Sequence, residues 1–149
     1  MNKIVAIVVV VLLAAGIGVF SVSKFTEKAA NETTKKVLKE VVSADLAPVS
    51  KAIGKLEACE SGATAELEAL GHTATPLGRS LAYIALAQNS YLMGDQDAAR
   101  VQLQQAIDAS TDKPSAEERN EMFDKLAEGA KQMAEKRKAY GFKVNCEPL

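Results

Sequence analysis

The two cysteines carry the clearest chemistry in this sequence. Cys59 lies near the end of a predicted helix, and Cys146 is among the last four residues. Neither belongs to a C-x-x-C motif or has a histidine nearby, which makes zinc binding and thioredoxin-like redox chemistry poor interpretations. A disulfide that fixes an otherwise loose C-terminal tail suits this placement, and it requires an oxidising compartment. Two unpaired buried thiols are the alternative.

Residues suited to acid–base catalysis do not form a recognisable group. His72 is the only histidine and is predicted to lie in a loop without an orienting acid or a nucleophile. Glu66 and Glu68 are two residues apart, so a helix places them on different faces. Glu117 and Glu118 suit the positive end of a helix dipole. Because a glycine-rich phosphate loop is also missing from the sequence, we expect no enzyme activity, cofactor or metal.

The most basic stretch near the C-terminus is KQMAEKRK, residues 131–138. It is interrupted by Glu135 and falls in the last turns of a predicted helix, where the helix dipole favours positive charge. We interpret it as a solvated helix end rather than as a nucleic-acid or lipid site. The formal net charge of −1 and the pI of about 5.9 also argue against nucleic acid as a partner.

Composition limits the fold to one modest domain. The chain has 149 residues, of which 48% are apolar and 5% aromatic, with no tryptophan. These values predict a helical core rich in alanine and leucine, and no strand pattern competes with it. The few aromatic residues cannot line a large pocket, so no small-molecule substrate is evident. The predicted fold class is all-α.

A pair of antiparallel helices between Thr75 and Ala109 organises the chain. Thr75 is a suitable N-cap, and Pro76 suits the first helical position. Gly94 can adopt the left-handed conformation that ends a helix, and Asp95 can cap the next one. Residues on one face of each helix recur at three-and-four spacing. They are Leu77, Leu81, Ile84, Ala85, Gln88, Tyr91 and Leu92, then Ala98, Ala99, Leu103, Ala106 and Ile107.

Seven residues of the hairpin follow the order aromatic, leucine, small, turn glycine, small, bulky, small. They are Tyr83, Leu86, Ala87, Gly94, Ala99, Leu103 and Ala106. This order resembles one tetratricopeptide repeat, over residues 80–113. Ser90 stands where the family usually has a second aromatic residue, and the closing Pro114 is late. Phe123 begins a partial echo of the pattern, so the last helix resembles the start of an unfinished repeat. A short helical hairpin with alanine at its crossing is the alternative.

The resemblance implies a concave surface that binds protein partners and is lined by the first helix of each repeat. On this hairpin that surface would offer Ile84, Gln88 and Tyr91, which are the predicted partner contacts. Asn89 does not fall where peptide-clamping members of the family carry their asparagine. The repeat pattern also places Ala99 where the two helices cross most closely.

Further helices are predicted on both sides of the hairpin. Asp45 can cap one with Pro48 in its first turn, and its apolar face is formed by Val49, Ile53 and Leu56. We expect Gly62 to end that helix, and a short helix over residues 65–70 to end at Gly71. For the last helix, Ser115 and Glu118 form a capping box and Gly141 is the stop signal.

The N-terminal segment predicts a membrane anchor over residues 1–23. The uncharged run between Lys3 and Lys24 is 20 residues long, about 30 Å as a helix, which matches the thickness of a bilayer core. A cleaved signal peptide is the alternative, although the run is longer than usual and no A-x-A site ends it. Ala14 and Gly18 form a small-xxx-small pair suited to packing against another membrane helix.

Two signals disagree on the orientation of this anchor. Five lysines follow the span within residues 24–39 and only Lys3 precedes it, which favours a cytoplasmic domain. The predicted disulfide favours the extracytoplasmic side, which we expect. Residues 24–44 are predicted to form a helical stalk, followed by a tetratricopeptide-like domain over residues 45–149. The predicted function is that of an accessory or assembly subunit of a membrane complex. The alternative is an exported soluble binding protein.

Overall fold

The computed structural model describes residues 46–111 and 114–149. Five helices run through this part: α1 over residues 46–57, α2 Ala63–Thr73, α3 Pro76–Leu92, α4 Gln96–Ala109 and α5 Ala116–Ala139. Residues 140–149 form a C-terminal tail with one antiparallel β-bridge, between Phe142 and Pro148. The all-α prediction is confirmed for the described residues.

The predictions for the anchor, including Ala14 and Gly18, and for the stalk over residues 24–44 lie outside the described residues. Within the part of the chain that is described, no helix is both long enough and apolar enough to cross a membrane.

The predicted helical hairpin is present as α3 and α4. The Thr75 hydroxyl accepts a hydrogen bond from the Gly78 N–H at 3.3 Å, and Pro76 is the first residue of α3. Gly94 has φ +84° in the connecting turn. The Asp95 carboxylate accepts a hydrogen bond from the Ala98 N–H at 3.0 Å and so caps α4. These local signals set the helix ends because each one satisfies a backbone group that the helix leaves free.

Helix α3 forms the centre of the core. All eight residues from Leu81 to Gln88 are buried, which means that α3 is covered on every side over more than two turns. It packs against α2, α4 and α5. Buried residues of α1 join the same apolar cluster. They are Val49, Ala52, Ile53 and Leu56.

Small residues allow α3 and α4 to pack closely. Ala85 of α3 and Ala99 and Ala106 of α4 are fully buried. Leu103 is buried between the two alanines of α4 in sequence, whereas Ala98 is only partly buried. The burial of Ala99 agrees with its predicted place at the crossing of α3 and α4, which itself stays a prediction.

Two glycines do not have the positions predicted for them. Helix α1 ends at residue 57, and Gly62, with φ +82°, is the residue before α2 rather than the end of α1. Helix α2 continues through Gly71 to Thr73. Gly71 faces Tyr83 of α3, and a Cβ on Gly71 would lie 2.7 Å from Tyr83 Cζ. The role of Gly71 is close helix packing. Because α2 continues to Thr73, His72 lies in its last turn and not in a loop.

The predicted start and end of α5 are confirmed. Ser115 accepts a hydrogen bond from the Glu118 N–H at 3.3 Å, and Glu118 accepts one from the Ser115 N–H at 2.7 Å. This is a complete capping box. Gly141, with φ +85°, follows the end of the helix.

Candidate functional site

The three predicted partner contacts lie on the side of α3 that faces α5. The Gln88 side chain is 8% exposed and fills the space beside Gly129, where a Cβ would collide with the Gln88 amide. Ile84, four residues earlier on the same face, is 2% exposed. Tyr91 packs edge-on against Phe123 of α5, with ring centroids 6.2 Å apart.

Helix α5 thus occupies the surface that the hairpin alone would offer. Because Ile84 and Gln88 are buried, a partner could reach them only after displacing the segments that cover them, which for Gln88 include α5. Tyr91 is partly exposed and accessible without such a displacement. The partner-contact prediction therefore stays a prediction, and Tyr91 is the residue through which it can be tested in the folded domain.

The predicted disulfide is confirmed. Cys59 and Cys146 are bonded across a sequence separation of 87, with Cα atoms 5.4 Å apart. Both cysteines have positive φ, 56° for Cys59 and 64° for Cys146. Cys59 occupies the left-handed position that follows α1, and the adjacent Glu60 N–H donates to the Lys55 carbonyl at 2.9 Å. The end of α1 therefore directs the first thiol, and a turn in the tail directs the second.

Arg137 of α5 is buried beside this disulfide, which corrects the interpretation of residues 131–138 as a solvated helix end at this one position. Lys131, Glu135 and Lys138 are exposed, as expected. The Arg137 side chain is the exception. It is 1% exposed. Its Nη1 donates to the Val144 carbonyl at 2.6 Å. Its Nη2 donates to Asn89 Oδ1 at 2.6 Å and to the Leu56 carbonyl at 3.3 Å. One guanidinium thus joins α1, α3, α5 and the tail.

The charge of Arg137 is held by neutral acceptors. All three hydrogen-bond acceptors are amide or backbone oxygens, and Nε has no hydrogen-bond partner among the described residues. Burial lowers the pKa of Arg137, and the nearby Glu57 carboxylate opposes this effect. Glu57 itself accepts a hydrogen bond from Lys136 Nζ at 2.6 Å. Arginine nevertheless stays protonated, so its surroundings must solvate a permanent charge.

The tail lies over this cluster without a buried residue of its own. Each of residues 140–149 is exposed or only partly buried. The disulfide and the Arg137–Val144 hydrogen bond join the tail to the helices. The Phe142 N–H also donates to the Arg137 carbonyl at 2.9 Å, which fixes the start of the tail on the end of α5. Covalent and polar contacts therefore replace apolar burial in holding the tail.

His72 and the acidic residues are the remaining candidates for catalysis or metal binding in the described residues. In residues 46–111 and 114–149, no three histidine, cysteine, aspartate or glutamate side chains are grouped as metal ligands. His72 Nδ1 lies 3.5 Å from the Tyr83 hydroxyl, the upper limit for a hydrogen bond, and its side chain is exposed at the end of α2. The disulfide and Arg137 cluster is accordingly the most elaborate polar arrangement in the described residues.

The position of Arg137 left one signal in the sequence. On α5 the buried residues Met122, Leu126, Ala130 and Met133 recur at three-and-four spacing, and Arg137 follows Met133 by four. Arg137 thus continues the buried face, although its charge by itself favours a position in solvent.

Comparison of the chain with protein-family models, with curated proteins and with solved structures finds no significant match in any of the three. Function is therefore inferred from the residues and contacts of this chain.

Proposed function

We propose that this protein is a membrane-anchored helical interaction module, an accessory or assembly subunit of a membrane complex. Its domain lies on the extracytoplasmic side, which is the periplasm if the protein is bacterial. The single observation that carries the location is the Cys59–Cys146 disulfide, because structural disulfides persist in oxidising compartments. The uncharged run of 20 residues between Lys3 and Lys24 supports the anchor.

The interaction role is supported by the tetratricopeptide-like residue pattern of α3 and α4. In this proposal the partner contacts the domain through Tyr91, and Ile84 and Gln88 become accessible only where the partner replaces α5. At Gly129 the surface of α3 that α5 covers is polar, because Gln88 rather than an apolar side chain lies there.

Co-purification in mild detergent tests the proposal. Full-length protein isolated from membranes should bring a defined set of partner proteins with it, and Tyr91→Ala should reduce their recovery. Tyr140→Ala is the matched control, since Tyr140 is 59% exposed at the other end of α5 from Phe123. Loss of partners with Tyr140→Ala but not with Tyr91→Ala would show that the contact lies elsewhere.

The alternative is an exported soluble binding protein released by signal-peptide cleavage. The exported form would lie in the same oxidising compartment as the anchored form, but its N-terminal segment would have been removed. The anchored form should remain in the membrane pellet after alkaline washing and have the mass of the full-length chain. A soluble form that begins after Ser21 or Ser23 would establish the alternative.

A further inference from the structure

The hydrogen bonds of Arg137 reach the backbone on both sides of the disulfide. Leu56, whose carbonyl accepts from Nη2, is three residues before Cys59. Val144, whose carbonyl accepts from Nη1, is two residues before Cys146. The same guanidinium therefore fixes the two chain segments that carry the thiols.

We propose that Arg137 is a positioning residue for formation of this disulfide. It holds the tail against the end of α1 in the reduced protein, so that the Cys59 and Cys146 thiols are adjacent before they are oxidised. Asn89 anchors the guanidinium from α3 and so sets its position relative to both segments.

The physical need for such a residue follows from the chain. Once the helices have folded, the encounter of the two thiols still costs the conformational entropy of residues 140–149, the tail that carries Cys146. The tail has no buried side chain that could dock it. Hydrogen bonds from a charged donor are the stronger kind, and in a site shielded from water they are strengthened further. Arg137 can therefore hold the tail against the end of α1 before oxidation, and the disulfide then makes this contact covalent.

The oxidation step needs an external disulfide, such as oxidised glutathione. The thiolate of one cysteine attacks a sulfur of the glutathione disulfide, which forms a mixed disulfide and releases one glutathione thiolate. The thiolate of the other cysteine then attacks the protein sulfur of the mixed disulfide and releases the second glutathione. The two cysteine thiols lose their protons to solvent, and the two released glutathione thiolates take up two protons from it. The two electrons pass from the cysteine sulfurs to the glutathione sulfurs. Arg137 takes no part in electron transfer and affects only the second attack, by proximity.

The experiment measures the equilibrium between full-length protein and defined mixtures of reduced and oxidised glutathione. The oxidised fraction, determined by thiol alkylation and mass spectrometry, gives the effective concentration of one thiol at the other. Arg137→Met keeps an unbranched, largely apolar stem and removes the guanidinium donors. It should lower the effective concentration by about tenfold or more, since a single hydrogen bond to a charged group has at least that value.

Two further variants make the result specific. Asn89→Ala removes one anchor of the guanidinium and should lower the effective concentration by a smaller factor. Lys138→Met removes the neighbouring exposed cation on α5 and should leave it unchanged. Stability of Arg137→Met is also compared in the wild-type and Cys59→Ser/Cys146→Ser backgrounds. By thermodynamic linkage, Arg137→Met should lower the free energy of unfolding more when the disulfide is present than when it is absent. The difference should correspond to the fold-decrease in effective concentration.

An unchanged effective concentration in Arg137→Met would overturn the proposal, as would an equal decrease in Lys138→Met. Equal effects of Arg137→Met in the two cysteine backgrounds would show that Arg137 only stabilises the core. If Arg137→Met does not fold, Asn89→Ala decides the matter, because a value equal to wild type would exclude positioning through this guanidinium.

Discussion

Gly71 of α2 lies against the aromatic ring of Tyr83 in α3, so closely that a Cβ at Gly71 would be 2.7 Å from Cζ and 3.0 Å from Cε1. The Tyr83 side chain is only 7% exposed. A glycine inside a helix normally weakens it, and here the close approach of two helices accounts for the glycine. The pair fixes the distance between α2 and the central helix.

Gly71→Ala should therefore destabilise the protein by about 1 to 3 kcal/mol, the usual effect of overpacking. Gly54→Ala is the matched control in α1, because a Cβ there has no neighbour within 4 Å. It should instead stabilise by about 0.5 to 1 kcal/mol, since alanine favours the helix. Chemical denaturation of both variants measures the two effects. Equal stability of the variants would contradict the packing described for Gly71 and Tyr83.

Ala99→Leu should also lower the free energy of unfolding by about 1 to 3 kcal/mol, because it adds three heavy atoms at a fully buried position between α3 and α4. Ala98→Leu, one residue earlier and partly exposed, should have a smaller effect. Thermal unfolding of the two variants provides the comparison. If Ala99→Leu melts at the wild-type temperature, the crossing of α3 and α4 is not as close as the burial of Ala99 indicates.

Removal of the disulfide by Cys59→Ser/Cys146→Ser should destabilise the protein by about 4 to 5 kcal/mol in the chain-entropy model, given the separation of 87 residues. Denaturation is compared for oxidised wild type, reduced wild type and the double variant. The last two should show the same decrease in free energy of unfolding relative to oxidised wild type. Free alkylation of both thiols in unreduced, denatured protein would mean that the disulfide does not form in the cell.

The capping box of α5 predicts a dependence of stability on acid pH. The Ser115 backbone N–H, and then the Ser115 side chain, lower the pKa of Glu118 below its ordinary value of 4.5. A lowered carboxyl pKa means that the unfolded chain takes up the proton first as pH falls. The stabilisation by Glu118 is therefore complete above pH 4.5 and is lost as pH falls below it, through the lowered pKa.

Glu118→Gln should flatten this part of the curve of stability against pH. The curve is measured by denaturation between about pH 3 and about pH 6. NMR titration of the Glu118 carboxyl measures its pKa directly. Glu117→Gln is the control, because Glu117 precedes Glu118 on α5 and lies outside the Ser115 capping box. Curves of the same shape for Glu118→Gln and wild type would exclude the contribution of the capping box.

The sequence by itself determined the features that depend on a few neighbouring residues. Thr75, Asp95 and Ser115 each cap a helix through a group three residues ahead, so their roles can be recognised without the fold. The pairing of Cys59 with Cys146 was also predictable, since a chain with two cysteines has one intramolecular pairing.

Only the tertiary structure decided the features that depend on distant segments. Gly71 could be a helix end or a packing site, and the ring of Tyr83, brought there by α3, makes it the latter. Arg137 could lie in solvent, but Leu56, 81 residues away, and Asn89, 48 residues away, provide acceptors that allow its charge to be buried. Helix α5 likewise covers Gln88 through the close approach of Gly129. The physical reason is the same in each case: local hydrogen bonds are specified by adjacent residues, whereas burial is specified by whichever segments the fold brings into contact.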